Sequence, residues 1–89
     1  MAWAIEYDSA ARKDLSRLDR PIARRIAAFM RERVSTLDNP RTIGEALTGS
    51  TLGNYWRYRV GDYRIICEIQ DRKLVVLGVR IGHRREVYR

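Results

Sequence analysis

The sequence predicts an α+β fold ordered strand, helix, helix, strand, strand, strand. The expected form is an antiparallel-rich four-stranded sheet with a two-helix hairpin on one face. Three observations predict it. Residues 54–89 hold three runs with strand-like alternation, residues 9–37 hold apolar residues at helical spacing, and 89 residues allow one domain, 1–89, with one modest core.

The elements follow in order. Residues 2–7 alternate, with Trp3, Ile5 and Tyr7 on one face. Asp8 is placed to cap a helix over residues 9–18, whose apolar stripe is Ala11, Leu15 and Leu18. Asp19-Arg20-Pro21 ends that helix and starts another, with Asp19 as cap and proline tolerated in the first turn. Ile22, Ile26, Phe29, Met30, Val34 and Leu37 then give one apolar face over 21–37. The arginines around that stripe read as a solvated face. Asp38-Asn39-Pro40 stops the helix, and residues 41–53 have no clear period. A connection of that length in so small a domain is pinned down or functional.

Gly61-Asp62 suits a two-residue hairpin loop, with glycine taking the positive φ of a type II′ turn. Before it, alternation puts Tyr55, Arg57 and Arg59 on one face and Trp56, Tyr58 and Val60 on the other. After it, Tyr63, Ile65, Cys67 and Ile69 share the core face, with Arg64, Ile66 and Glu68 opposite. Residues 73–81 are apolar on both faces, as an interior strand would be. Leu74 and Val76 fall on one side and Val75, Leu77, Val79 and Ile81 on the other. A tail from His83 to Arg89 follows.

Arg57, Arg59 and Arg64 therefore gather on one sheet face, at a closeness set by the register across the turn. Like charges there repel. An anion would neutralise them, and the planar guanidinium fork matches phosphate oxygens two at a time. A surface selected for solubility, or a compositional bias toward arginine, is the competing explanation: 16 of the 18 basic residues are arginine.

Net charge is +7, distributed as +2 over residues 1–53 and +5 over residues 54–89. A basic half favours nucleic acid or an acidic protein as partner. No apolar run approaches a membrane span and no signal peptide is visible, so the expected compartment is the cytoplasm. Cys67, the one cysteine, falls at a core position and reads as a small hydrophobe. One histidine and one cysteine do not make a metal site unaided, and no cofactor is expected.

The chain resembles the RelE/ParE superfamily of bacterial toxin–antitoxin toxins, and more closely its RelE branch. The resemblance rests on A-R-K-D-L-S-R-L-D in the first helix, L-T-G at 47–49, Y-W-R-Y-R-V-G-D-Y-R-I-I-C at 55–67 and V-R-I-G-H-R-R-E-V-Y at 79–88. It implies a ribonuclease that cuts messenger RNA in the ribosomal A site without a metal, by attack of a ribose 2′-hydroxyl on the adjacent phosphate. It also implies a small antitoxin protein as partner. Carried over residue by residue, Arg57, Arg59 and Arg64 would clamp the phosphate. Arg84 would stabilise the leaving oxygen, and Tyr88 would stack on a base or move a proton. Arg57 and Arg59 stand where the family often has lysines. Arginine is effectively never deprotonated, so His83, with an ordinary pKa of roughly 6.5, is the expected titrating group. Two other functions fit the same resemblance: a ParE-type poison of DNA gyrase, and a non-catalytic module that binds RNA or the ribosome.

Overall fold

The computed structural model describes residues 2–47 and 55–85. Strand β1 (Ala4–Tyr7) leads through Asp8 into helix α1 (Ser9–Ser16). Asp8 caps it as expected: its carboxylate accepts the Ala11 amide at 2.8 Å. Helix α2 (Arg20–Phe29) follows with Pro21 in its first turn. Here the Asp19 carboxylate makes no capping bond, and the backbone carbonyl of Asp19 accepts from Ala23 instead.

The helical run continues past Phe29 as a wider π turn, Met30–Val34, and stops short of the expected Leu37. Ser35 and Thr36 then turn their hydroxyls back onto the carbonyls of Arg31 and Glu32, satisfying acceptors that the helix leaves unpaired at its end.

Among the described residues the sheet has five strands rather than four, in the order β1-β5-β4-β3-β2. The addition is a two-residue edge strand, β2 (Glu45–Ala46), inside the stretch that showed no period. Two residues are too few to display an alternation. Strands β3 (Tyr55–Val60), β4 (Tyr63–Gln70) and β5 (Val75–His83) are antiparallel as expected, and β1 lies parallel to β5. Gly61 takes φ +58°, and no positive φ falls on Asp62, as a type II′ turn requires.

One face of the sheet packs on the helices. Tyr58, Val60, Ile65, Cys67, Ile69, Val76 and Ile81 meet Ala11, Ile26, Met30 and Val34 there. Val76 and Ile81 share this face although strict alternation would separate them. The cause is a bulge: Ile66 pairs with Arg80 and Cys67 with Gly78, leaving Val79 as the extra residue. Leu74, expected in the strand, instead closes the Asp71–Lys73 turn with φ 53°.

Past Tyr7, β1 no longer covers the edge of β5. Asp14 of α1 takes over that role. Its carboxylate accepts the Ile81 amide at 2.8 Å and the Arg80 Nε at 3.2 Å. No helix among the described residues is long and apolar enough to cross a membrane.

Candidate functional site

The face turned away from the helices carries the arginines. In the β3–β4 ladder Arg59 lies directly opposite Arg64, and Arg57 lies opposite Ile66 two positions further along. The Arg64 Nη1 curls back onto the carbonyls of Gly61 (3.2 Å) and Tyr63 (3.1 Å) at the hairpin turn. Arg84 is tied to the same turn by its amide, which donates to the Asp62 carbonyl at 2.8 Å. Arg57, Arg59, Arg64 and the backbone of Arg84 thus converge on one end of the sheet.

A carboxylate stands among them that sequence reading passed over. Glu45 on β2 pairs with Arg57 in the ladder. One of its oxygens holds the Arg57 guanidinium, and the other lies 3.2 Å from Arg59 Nη2. The hydrogen bond from Arg57 keeps the Glu45 carboxyl below the usual carboxylate range. The charges of Arg57, Arg59 and Arg64 add to that pull against a weaker opposing desolvation.

The segment that delivers Glu45 is fixed by contacts distant in sequence. Asn39 caps the short helix Pro40–Ile43, accepting the Arg41 amide at 3.0 Å. The Tyr58 hydroxyl donates to the Pro40 carbonyl at 2.6 Å in the core. Arg41 grips Asp71 with both terminal nitrogens (3.0 and 2.7 Å) and lies 5.7 Å over the Trp56 ring. Gly44 passes so near Tyr58 that a Cβ would sit 3.1 Å from its ring. The expectation that this stretch is pinned down holds for its described part.

His83 does not join the arginine face. It pairs with Tyr63, whose neighbours in the pleat are core residues, and the two rings meet edge to face at 5.8 Å. His83 therefore projects toward the helix side, while Arg59 and Arg64 project away from it. Its Nδ1 accepts the Arg85 amide at 3.3 Å. Tyr88 lies outside the described residues. Arg25 of α2, read as part of a solvated face, is exposed and also reaches the hairpin: its Nη1 would lie 3.4 Å from a Cβ placed on Gly61. Only the packing of α2 over the turn reveals that approach. Cys67 is fully buried, and burial pushes its thiol far up, so it is no nucleophile. Among the described residues no three His, Cys, Asp or Glu side chains gather as a metal site.

Such a sheet, helical on one side and basic on the other, defines a small α+β protein. Comparison with known proteins makes this specific. A family model described as the ParE toxin of the type II toxin–antitoxin system parDE matches residues 5–88. The chain belongs to that family of toxins, within the RelE/ParE superfamily, and its relatives lie toward the RelE branch. It is 28% identical to Toxin RelG of Mycobacterium tuberculosis over 89 residues, covering 100% of this chain and 99% of that one. It is similar to a RelBE toxin–antitoxin complex from the same organism, with a TM-score of 0.84 and 26% identity over 97% of this chain and 95% of that one. An archaeal RelE–RelB complex from Pyrococcus horikoshii gives a TM-score of 0.71 at 25% identity, covering 98% of this chain and 100% of that one.

Proposed function

We propose that this toxin is an endoribonuclease that cuts messenger RNA in the ribosomal A site. The observation that carries the reading is the cross-strand pair Arg59–Arg64 with Arg57 beside it. Like charges brought into register on a sheet face repel, and a phosphate bound among them relieves that repulsion where one Glu45 carboxylate only partly offsets it.

RNA brings its own nucleophile, so the protein has to hold the substrate in line, stabilise charge and move protons. The 2′ oxygen bonds to phosphorus and the bond from phosphorus to the 5′ oxygen breaks. A 2′,3′-cyclic phosphate and a 5′-hydroxyl result. Arg57, Arg59 and Arg64 hold the non-bridging oxygens, and Arg84 stabilises the leaving oxygen. Glu45 is the proton acceptor for the 2′-hydroxyl. It is the carboxylate already against Arg57 and Arg59, whereas His83 points to the other side of the sheet. When phosphate draws the guanidiniums away, Glu45 loses the bonds that depress its basicity, and its pKa rises back toward that of an unpaired carboxylate. The 5′ oxygen takes its proton from Tyr88 or from water.

An antitoxin is the expected partner, since solved relatives are toxin–antitoxin complexes. The test of the reading is primer extension on messenger RNA incubated with the protein, free and in programmed ribosomes. Cuts in the A-site codon that require ribosomes support it, and intact RNA from folded, antitoxin-free protein overturns it. The match to a ParE toxin favours one second reading, inhibition of DNA gyrase. DNA breakage by gyrase in the protein's presence, with RNA left intact, would establish that reading instead.

A further inference from the structure

We infer that a cavity on the helix side of β5 is a nucleotide-binding subsite, which receives the base and phosphate of an RNA residue next to the one held on the arginine face. The inference extends the ribonuclease reading. The cavity measures about 400 Å³ and is lined by Asp14, Arg17, Leu18, Tyr63, Arg80 and His83. That volume lies in the roughly 300–1,000 Å³ range of small-molecule sites.

The lining suits a nucleotide in three respects. Tyr63 and His83 stand at 84° to each other, so a planar group stacked on one ring meets the other. Unstacked RNA bases are recognised in this way, on aromatic or guanidinium planes. Leu18 adds an apolar wall. The charge is also suitable. Asp14 is already engaged by the Ile81 amide and the Arg80 Nε, and Arg17 has no ion pair among the described residues, which leaves a cation for a phosphate.

Position supplies the third respect. Tyr63 and Arg64 are consecutive, as are His83 and Arg84, and Tyr63 and His83 are direct partners across β4 and β5. In the β4 pair, the first residue faces the cavity and the second faces the arginine side. A strand of RNA passing the hairpin end of β4 and β5 meets both. An acidic peptide would satisfy Arg17 but would leave the aromatic corner without a planar partner.

The test is an NMR titration of the full chain with adenosine 5′-monophosphate, and in parallel with ribose 5-phosphate and with a glutamate-rich peptide. His83 is the one histidine in the chain, so its ring signals are unambiguous. Adenosine monophosphate should shift the His83 and Tyr63 ring signals, and ribose 5-phosphate should leave them in place. Arg17→Gln, an exposed change, should weaken binding several-fold. Tyr63→Leu should weaken it roughly five- to hundredfold, the range for loss of a base–aromatic stack. No ring shifts with the nucleotide, equal shifts with ribose 5-phosphate, or shifts produced by the peptide alone would overturn the assignment. Binding does not depend on cleavage. Nucleotide binding without RNA cuts would leave the subsite and remove the nuclease, and cuts without nucleotide binding would do the reverse.

Discussion

Arg59 and Arg64 are direct partners across the β3–β4 ladder, and the Glu45 carboxylate that holds Arg59 also feels the charge of Arg64. Two like charges in register oppose folding, so the pair is retained at some cost in stability. Arg59→Gln removes that repulsion together with the ion pair to Glu45, so stability should change by less than about 1 kcal/mol. It should lower RNA cleavage by roughly 10²–10³, the loss that follows removal of one transition-state donor. Urea melts and single-turnover cleavage rates, measured on the same preparations, check both halves.

Glu45→Gln separates the two roles of that carboxylate. It removes the proton acceptor, and cleavage should fall. It also frees Arg57 and Arg59, and affinity for inorganic phosphate should rise. The sign of the pH effect is fixed. Glu45 has a folded pKa below its unfolded one, so its contribution is complete above the ordinary value of about 4.3 and is lost as pH falls through the folded value. Asp71, held low by Arg41, acts in the same direction. The stability difference between wild type and Glu45→Gln should thus shrink on acidification below about pH 4.3, as thermal melts across pH would show.

Tyr58→Phe tests how Glu45 is delivered. Tyr58 is fully buried, and its hydroxyl satisfies the Pro40 carbonyl. Removing it strands that acceptor and should cost about 1–3 kcal/mol. Cleavage should fall as well, because the Pro40–Ile43 turn sets the position of β2. Unchanged cleavage in a destabilised Tyr58→Phe protein would show that Glu45 is placed by other contacts.

These dependencies explain what was legible in the sequence. Alternation in residues 55–70 sufficed to place Arg57, Arg59 and Arg64 on one face, because a short hairpin leaves little freedom of register. Helical spacing likewise located Ile26, Met30 and Val34 in the core. Glu45 was illegible. Its strand is two residues long, and the turn before it is held by Tyr58, Trp56 and Asp71, all later in the chain. The position of His83 was hidden for another reason. The bulge at Val79 reverses the parity of β5, and the one sequence signal for it is Gly78 beside it, a residue type that marks bulges within strands.

Gly78 offers a test of the frame itself. A Cβ there would sit 2.8 Å from the ring of Tyr7, on the neighbouring strand. Gly78→Ala should destabilise by about 1–3 kcal/mol through overpacking. Adding Tyr7→Leu should recover part of the loss, giving a favourable coupling in a double-mutant cycle.

RNA cleavage by the arginine face is tested by comparing wild type with Arg64→Ala on ribosome-bound messenger RNA. Primer extension would map the 5′ ends, and the chemistry of the 3′ ends would be determined alongside. Cuts in the A-site codon ending in 2′,3′-cyclic phosphate, reduced at least a hundredfold in a folded Arg64→Ala protein, are the predicted result. Equal cutting by the two proteins would show that the arginine face is not the site of cleavage.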